Sequence, residues 1–181
     1  MLNQVNWIDI IILIILIRMA FVGLTQGLTK YFLNFIGIVA TVCATIHYYY
    51  YGAVFLNKNV GFLTLSSAAL ISFVFIIVGA VLILKISGSF LSKLITIEFA
   101  SFLEKAGGMI VGIVCGLLFS SLLLITFNFS QAEYIHNSLE KSYSAPLISR
   151  MAPACYDVVF KIFPLNPSQG REYVGINPAS K

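Results

Sequence analysis

Charge is what this chain has least of. Only 10% of its 181 residues are Asp, Glu, Lys or Arg, against roughly 25% in a soluble domain. That shortage excludes an ordinary water-soluble globule. Cysteine is scarce too: Cys43 and Cys115 lie inside apolar runs and Cys155 in the C-terminal part, which makes no disulfide framework and no CxxC pair. The three read as small packing residues. There is no HExxH and no phosphate-binding glycine loop. An intramembrane protease needs a Ser–His pair, two aspartates or a His–Glu zinc set. The apolar runs offer one aspartate near an end, one histidine at a boundary and several serines without a base. No catalytic residue, cofactor or metal ligand is expected, and the serines read as packing residues. The net charge of +4 comes from basic residues that stand singly, so nucleic acid is not expected as a partner.

What the chain has in excess is apolar surface, 59% of its residues, with a mean hydropathy of +0.95. Runs at 7–24, 28–48, 62–84 and 106–127 are each long enough to cross a bilayer at the helical rise. The expected fold is all-α: an integral membrane protein with four transmembrane helices and a C-terminal amphipathic helix. The lipid bilayer is therefore its first partner. Trp7 suits a membrane interface and Asp9 lies near enough to that end to reach water. Arg18 stands about 16 Å beyond Trp7, where it either snorkels toward the far side or faces a protein interior. Nine residues apart, Asp9 and Arg18 fall on opposite sides of one helix and cannot pair within it. They are the charges with a possible functional role.

The stretch Lys105–Ser121 (KAGGMIVGIVCGLLFSS) places Gly108, Gly112 and Gly116 four residues apart, with Ser120 continuing the row. A four-residue step returns to nearly the same helical face, so the row is a strip without side-chain bulk. In lipid such a strip lets a second backbone approach closely. The chain is expected to assemble around this helix, with Gly23, Gly27 and Gly37 as further small packing positions.

The segment 25–30 connects the first two runs, and the second ends in the aromatic belt His47–Tyr51. Gly52–Gly61 reads as a short polar loop. In the third run Ser66, Ser67 and Ser72 can bond back to carbonyls one turn earlier. The segment 87–105 reads as an interfacial connector, with Ser89, Ser92, Lys93, Thr96 and Glu104 on one face. A transmembrane domain over 1–130 would then be followed by an amphipathic juxtamembrane segment over 131–163 and a flexible tail over 164–181. Ser144 and Pro146 mark a helix start, and Pro153 should kink the apolar stripe from Leu147 to Ile162. Counting cations in short connections sets Lys30, Lys85, Lys93 and Lys105 against Lys58 and Lys141, which places both termini on the outer, periplasmic side.

Three stretches together resemble the colicin V production protein family of bacterial membrane proteins. The first is Asn6-Trp7-Ile8-Asp9 opening an apolar helix, followed by Gly23, Gly27 and Gly37. The second is Glu104-Lys105 before Gly108, Gly112 and Gly116. The third is Ser142–Pro153 (SYSAPLISRMAP) after the last span. The chain departs from the family's usual arginines in the first connection, where it has Thr25 and Gln26. It also lacks the acidic residue often found near Tyr31 and the basic one near Cys115. The resemblance implies a four-span bacterial inner-membrane protein tied to colicin V export or production and to envelope upkeep, with no known reaction. Two function classes follow. One is an accessory or scaffold protein whose small-residue faces bind its own copies or another membrane protein of an export or envelope system. The other is a small oligomeric transporter or channel that uses the Gly23–Gly27 connection, Arg18 and the Pro153 helix.

Overall fold

A computed structural model of the protein describes residues 6–59, 64–94, 102–129 and 133–162. The elements are α1 (Trp7–Asn59), α2 (Leu65–Leu94), α3 (Phe102–Asn128), α4 (Glu133–Lys141), α5 (Ala145–Ile148) and α6 (Met151–Ile162).

The long α1 is two limbs, Trp7–Thr29 and Tyr31–Asn59, divided at Gly27, whose φ of 77° and ψ of 166° leave the helical region. A residue with a Cβ is strained there, so glycine is what permits the break. Beyond it the chain folds back. The Tyr31 hydroxyl donates to Met19 Sδ at 3.3 Å, although twelve residues of straight helix would separate the two by about 18 Å.

Helix α3 fixes the direction of both limbs. Gly108 lies against Gly23, Gly112 against Met19 and Ala20, and Gly116 against Leu16. Further along, Leu124 packs with Ile8 and Ile12, and Phe127 meets Trp7 at 6.0 Å between ring centroids. The first limb therefore runs antiparallel to α3. Val42, Ile46 and Tyr49 of the second limb pack with Leu118, Leu122 and Ile125, and Tyr49 reaches Phe129 at 5.7 Å, so that limb runs parallel to α3. Trp7, Tyr49 and the end of α3 share one end of the bundle, while Gly27 and the start of α3 share the other.

The first limb, the second limb and α3 are each long and apolar enough to cross a membrane, and α2 carries the shorter apolar stretch Ser67–Ile83. That helix lies along the second limb and barely touches α3. Ser72 does not bond back within α2. Its hydroxyl donates across to the Tyr49 carbonyl at 3.0 Å, and Phe73 stands edge-on to the Tyr49 ring.

Three expected boundaries move. Helix α1 continues through Gly52 to Asn59, because the bare face of Gly52 sits on the Ser72 side chain and serves close packing, not a turn. Residues 60–63, which hold the rest of the expected loop, lie outside the described residues. Helix α2 runs without a break past Lys85 to Leu94, and Phe102–Lys105 already belong to α3. The middle of the expected connector, 95–101, and the tail over 164–181 also lie outside the described residues. The post-span stripe is two helices, divided at Ser149–Arg150. Pro153 falls in the first turn of α6, where an N–H would have no acceptor within the helix. It starts that helix cleanly and does not kink it.

Candidate functional site

The positions singled out in the sequence gather at two places, one at each end of the first limb. At the Gly27 end the limb crosses α3 glycine against glycine. A Cβ on Gly23 would run into the Gly108 carbonyl, and one on Gly108 would meet the Gly23 carbonyl and, at 2.8 Å, the Gly27 carbonyl carbon. A Cβ on Gly112 would lie 2.5 Å from the Met19 carbonyl oxygen. At Gly116 the nearest atoms are the Leu16 Cδ2 at 3.0 Å and Met19 Cβ at 3.3 Å, so the backbones have begun to part. The space left by Gly27 is filled by Glu104, whose Cγ would stand 3.2 Å from an added Cβ.

Ser120, the next step of the row, is fully buried, and its hydroxyl has no hydrogen-bond partner among the described residues. Gly37 is buried in the second limb, where its carbonyl accepts the Thr41 hydroxyl at 3.0 Å. Arg18 is exposed on the outside of the first limb and is not brought to either place.

At the Trp7 end the limb is held by polar contacts. The Asn6 side-chain amide donates to the Ser138 carbonyl, and Trp7 Nε1 donates to Ser138 Oγ at 3.0 Å. The Trp7 ring stacks on Tyr134 at 6.4 Å. One carboxylate oxygen of Asp9 accepts the Ser142 hydroxyl at 2.7 Å and the Ser144 N–H at 3.2 Å. Ser142 Oγ in turn accepts the Ala145 N–H at 3.2 Å. The start of α5 is thus capped by Asp9 and Ser142, and Ser144 makes no side-chain cap bond. Hydrogen bonds to a carboxylate are about twice as strong as neutral ones, which makes Asp9 the centre of this clasp.

A second anchor comes from α3, and sequence reasoning missed it. The buried Ser121 hydroxyl donates to the Ser149 carbonyl at 3.1 Å and accepts the Ala152 N–H at 3.0 Å. One side chain thereby satisfies both sides of the α5–α6 break. Nothing in a run of apolar residues marks Ser121 apart from Ser120, so no sequence signal could have separated them. Below this pin Ala152 and Tyr156 enter the core formed by Val42, Ile46, Tyr49, Phe73, Leu118, Leu122 and Ile125. His47 Nδ1 lies 3.3 Å from the Tyr156 hydroxyl.

The Ser142 hydroxyl that meets the Asp9 carboxylate is buried and takes the Ala145 N–H as a helix cap, and no three His, Cys, Asp or Glu side chains gather as a metal site among the described residues. The arrangement can bind helix to helix and hold the post-span segment. Three long apolar helices, a glycine crossing and a capped end define a multi-pass membrane protein. Its sequence matches the family model described as Colicin V production protein over residues 8–153, and the chain belongs to that family. No curated protein and no solved structure matches it. The matched range ends at Pro153 and so includes the crossing, the Asp9 contacts and the α5–α6 break. Family membership supports an accessory membrane role.

Proposed function

We propose that the protein is a four-span inner-membrane accessory protein, with α2 as the fourth crossing, that serves as a scaffold in toxin export or production and in envelope upkeep. The observation that carries this reading is that the three stretches linking it to its family meet as two locks between its own helices. Gly23 and Gly27 close on Glu104, Gly108 and Gly112, while Asp9 closes on Ser142 and Ser144. The small-residue strip is used within the chain, which leaves the outward face of the first limb, with Ile17 and Phe21 exposed, for a second copy or another membrane protein. Photo-crosslinkers at Ile17 and Phe21 in native membranes test this. Capture of a second copy, or of an export or envelope component, is expected; adducts with lipid alone would refute the scaffold role.

The orientation that goes with this reading has both termini outside, supported by the cation count in the connections. A reporter fused after Lys181 should then read as external, and a cytoplasmic signal would reverse the orientation.

A small oligomeric transporter or channel is the second reading. The observation in its favour is the break at Gly27, since interrupted spanning helices commonly border substrate paths. Solute flux or conductance in liposomes holding only this protein would replace the scaffold reading.

A further inference from the structure

Helix α6 is held at two points, and both lie just inside the Trp7 end of the bundle. Its first turn is pinned to α3, where Ser121 bonds the Ser149 carbonyl and the Ala152 N–H. Ser121 precedes the last residue of α3 by seven positions, about 10 Å of helix. One turn further along α6, the Tyr156 hydroxyl meets His47 of the second limb. His47 stands two positions, or about 3 Å, before Tyr49, whose ring reaches Phe129. The helix therefore bridges α3 and the second limb about 3–10 Å inside the end they share. Helices that lie in a membrane interface sit about 5–10 Å into the boundary between headgroups and acyl chains.

Helical period divides α6 into three faces. Ala152 and Tyr156 are buried in the core and Cys155 packs against it, so this face points into the bundle. Met151, Ala154 and Val158, spaced by three and four, form a second stripe about 100° round the helix. They are apolar too, yet all three are exposed, Val158 by 57%. Arg150, Asp157 and Lys161 follow on the side beyond, at spacings of seven and four. Arg150 belongs to this series because its carbonyl accepts the Ala154 N–H at 3.0 Å, as in a first helical turn. Arg150 and Lys161 are exposed and Asp157 is half-buried.

A helix that only closed a bundle against water would carry polar residues over all of its outward surface. Helix α6 instead sets an apolar outward stripe beside a charged ridge, the division a membrane surface makes between acyl chains and headgroups. Two cations against one carboxylate give the ridge the sign that complements lipid phosphate. Aromatic rings mark the same end of the bundle. The exposed Tyr134 stacks on Trp7, and Tyr143, 96% exposed, follows Ser142 at Asp9. Trp and Tyr so placed favour the membrane–water boundary, which selects lipid over a second copy as the neighbour of the stripe.

We propose that α6 is a lipid-binding surface in the leaflet on the Trp7 side, with Met151, Ala154 and Val158 against acyl chains and the ridge from Arg150 to Lys161 among the phosphates. The inference rests on the bundle crossing the bilayer, as the proposed function also requires, but not on what the outward face of the first limb binds. One short helix then joins α3 to the second limb through its inner face and fixes both to one leaflet through its outer faces.

The test is spin-label accessibility of the full chain in phospholipid vesicles, with the three native cysteines replaced by alanine. Single nitroxides are placed through Ala154→Cys and Val158→Cys on the stripe and through Arg150→Cys and Lys161→Cys on the ridge. Ile36→Cys, at an exposed residue of the second limb, is the reference for hydrocarbon. Oxygen, which concentrates in hydrocarbon, and a water-soluble nickel chelate report the surroundings of each label.

The oxygen-to-chelate ratio at both stripe positions should lie between those of the ridge and of Ile36→Cys, about tenfold above the ridge. Chelate preference at the stripe, equal to that at the ridge, would overturn the proposal and make α6 a cap that faces water. Loss of access to both reagents at the stripe would overturn it in favour of a protein neighbour, a second copy of this chain included. Oxygen preference at the ridge as well would overturn the division of faces. Chelate preference at Ile36→Cys would overturn the crossing itself, and with it the membrane placement in the proposed function; the other failures leave that placement intact.

Discussion

Gly112→Ala asks the most direct question of this fold, because it adds one methyl group where the structure has no room. The new Cβ would lie 2.5 Å from the Met19 carbonyl oxygen, 3.1 Å from its carbon and 3.2 Å from Ala20 Cα. All three are backbone atoms of a helix, so no side chain can swing aside. Restoring an ordinary contact of 3.4 Å requires the first limb to retreat by about 0.9 Å. A gap of that size forfeits about a quarter to a half of each dispersion well along the crossing. With about twenty atom pairs at about 0.15 kcal/mol each, the loss is about 1 kcal/mol, and the lost Cα–H···O contacts bring the total into the range of about 1–3 kcal/mol typical of overpacking. No hydrophobic force between helices offsets this in lipid.

Gly79→Ala is the reference, since a Cβ there has nothing within 4 Å. It should be neutral or stabilising by up to about 1 kcal/mol through helix propensity. Gly116→Ala should fall between the two, because its nearest neighbour is the flexible end of Leu16. Denaturant unfolding of the detergent-solubilised protein measures all three. If Gly112→Ala is as stable as Gly79→Ala, the crossing is not a packing site and the account of the first limb fails.

Three further substitutions probe the other contacts. Gly27→Ala must adopt a φ of 77° and also press on Glu104, so a loss of about 1–3 kcal/mol is expected from strain alone; a melting temperature equal to wild type would refute the need for glycine at the break. Asp9→Ala leaves the Ser142 hydroxyl and the Ser144 N–H without their acceptor, a cost of about 1.5–3 kcal/mol, and should make the segment 142–150 newly sensitive to protease; unchanged cleavage would show that Asp9 does not hold it. Ser121→Ala orphans the Ser149 carbonyl and the Ala152 N–H at about 1–3 kcal/mol per group, whereas Thr126→Ala removes only a bond back to Leu122 within α3 and should cost far less; equal effects would refute the pin.

Much of the frame could be read from residue order alone. The all-helical class, the apolar runs and the spacing of Gly108, Gly112 and Gly116 follow from composition and helical period, which are local properties. The glycine row indicated a close approach but not its partner, because which backbone fills a bare strip depends on tertiary arrangement. Gly52 looked like a loop residue for the same reason: the sequence does not show that Ser72 lies over it. Pro153 suggested a kink because proline is read as an interruption, yet at the third position of α6 it is compatible with a helix start. The polar clasp was least legible. Asn6, Trp7 and Asp9 are separated from Ser138, Ser142 and Ser144 by more than 130 residues, and serines give no sign in a sequence of what they bond.

The locks at the two ends of the first limb explain why this helix can be so apolar and still hold one position. Its outward residues Leu13, Ile14, Ile17 and Phe21 are exposed, and lipid tails compete with helix partners for such side chains without preference. Register along α3 must therefore come from something lipid cannot imitate. At one end that is backbone proximity, which only Gly23, Gly27, Gly108 and Gly112 allow. At the other it is hydrogen bonding from Asn6, Trp7 and Asp9, whose unpaired groups would be costly in hydrocarbon. A slide of one turn that set Gly112 opposite Gly23 would be tolerated by the glycine row but would carry Asp9 about 5 Å from Ser142. A rotation that turned Met109 or Ile110 toward Gly23 is what the bare crossing forbids, so each lock penalises an error the other would tolerate. The second limb and α2 lack this double constraint. Among the described residues α2 is joined mainly by Ser72, Phe73 and the bare face of Gly52, so its placement depends on the second limb, whereas the first limb and α3 hold each other in register from both ends.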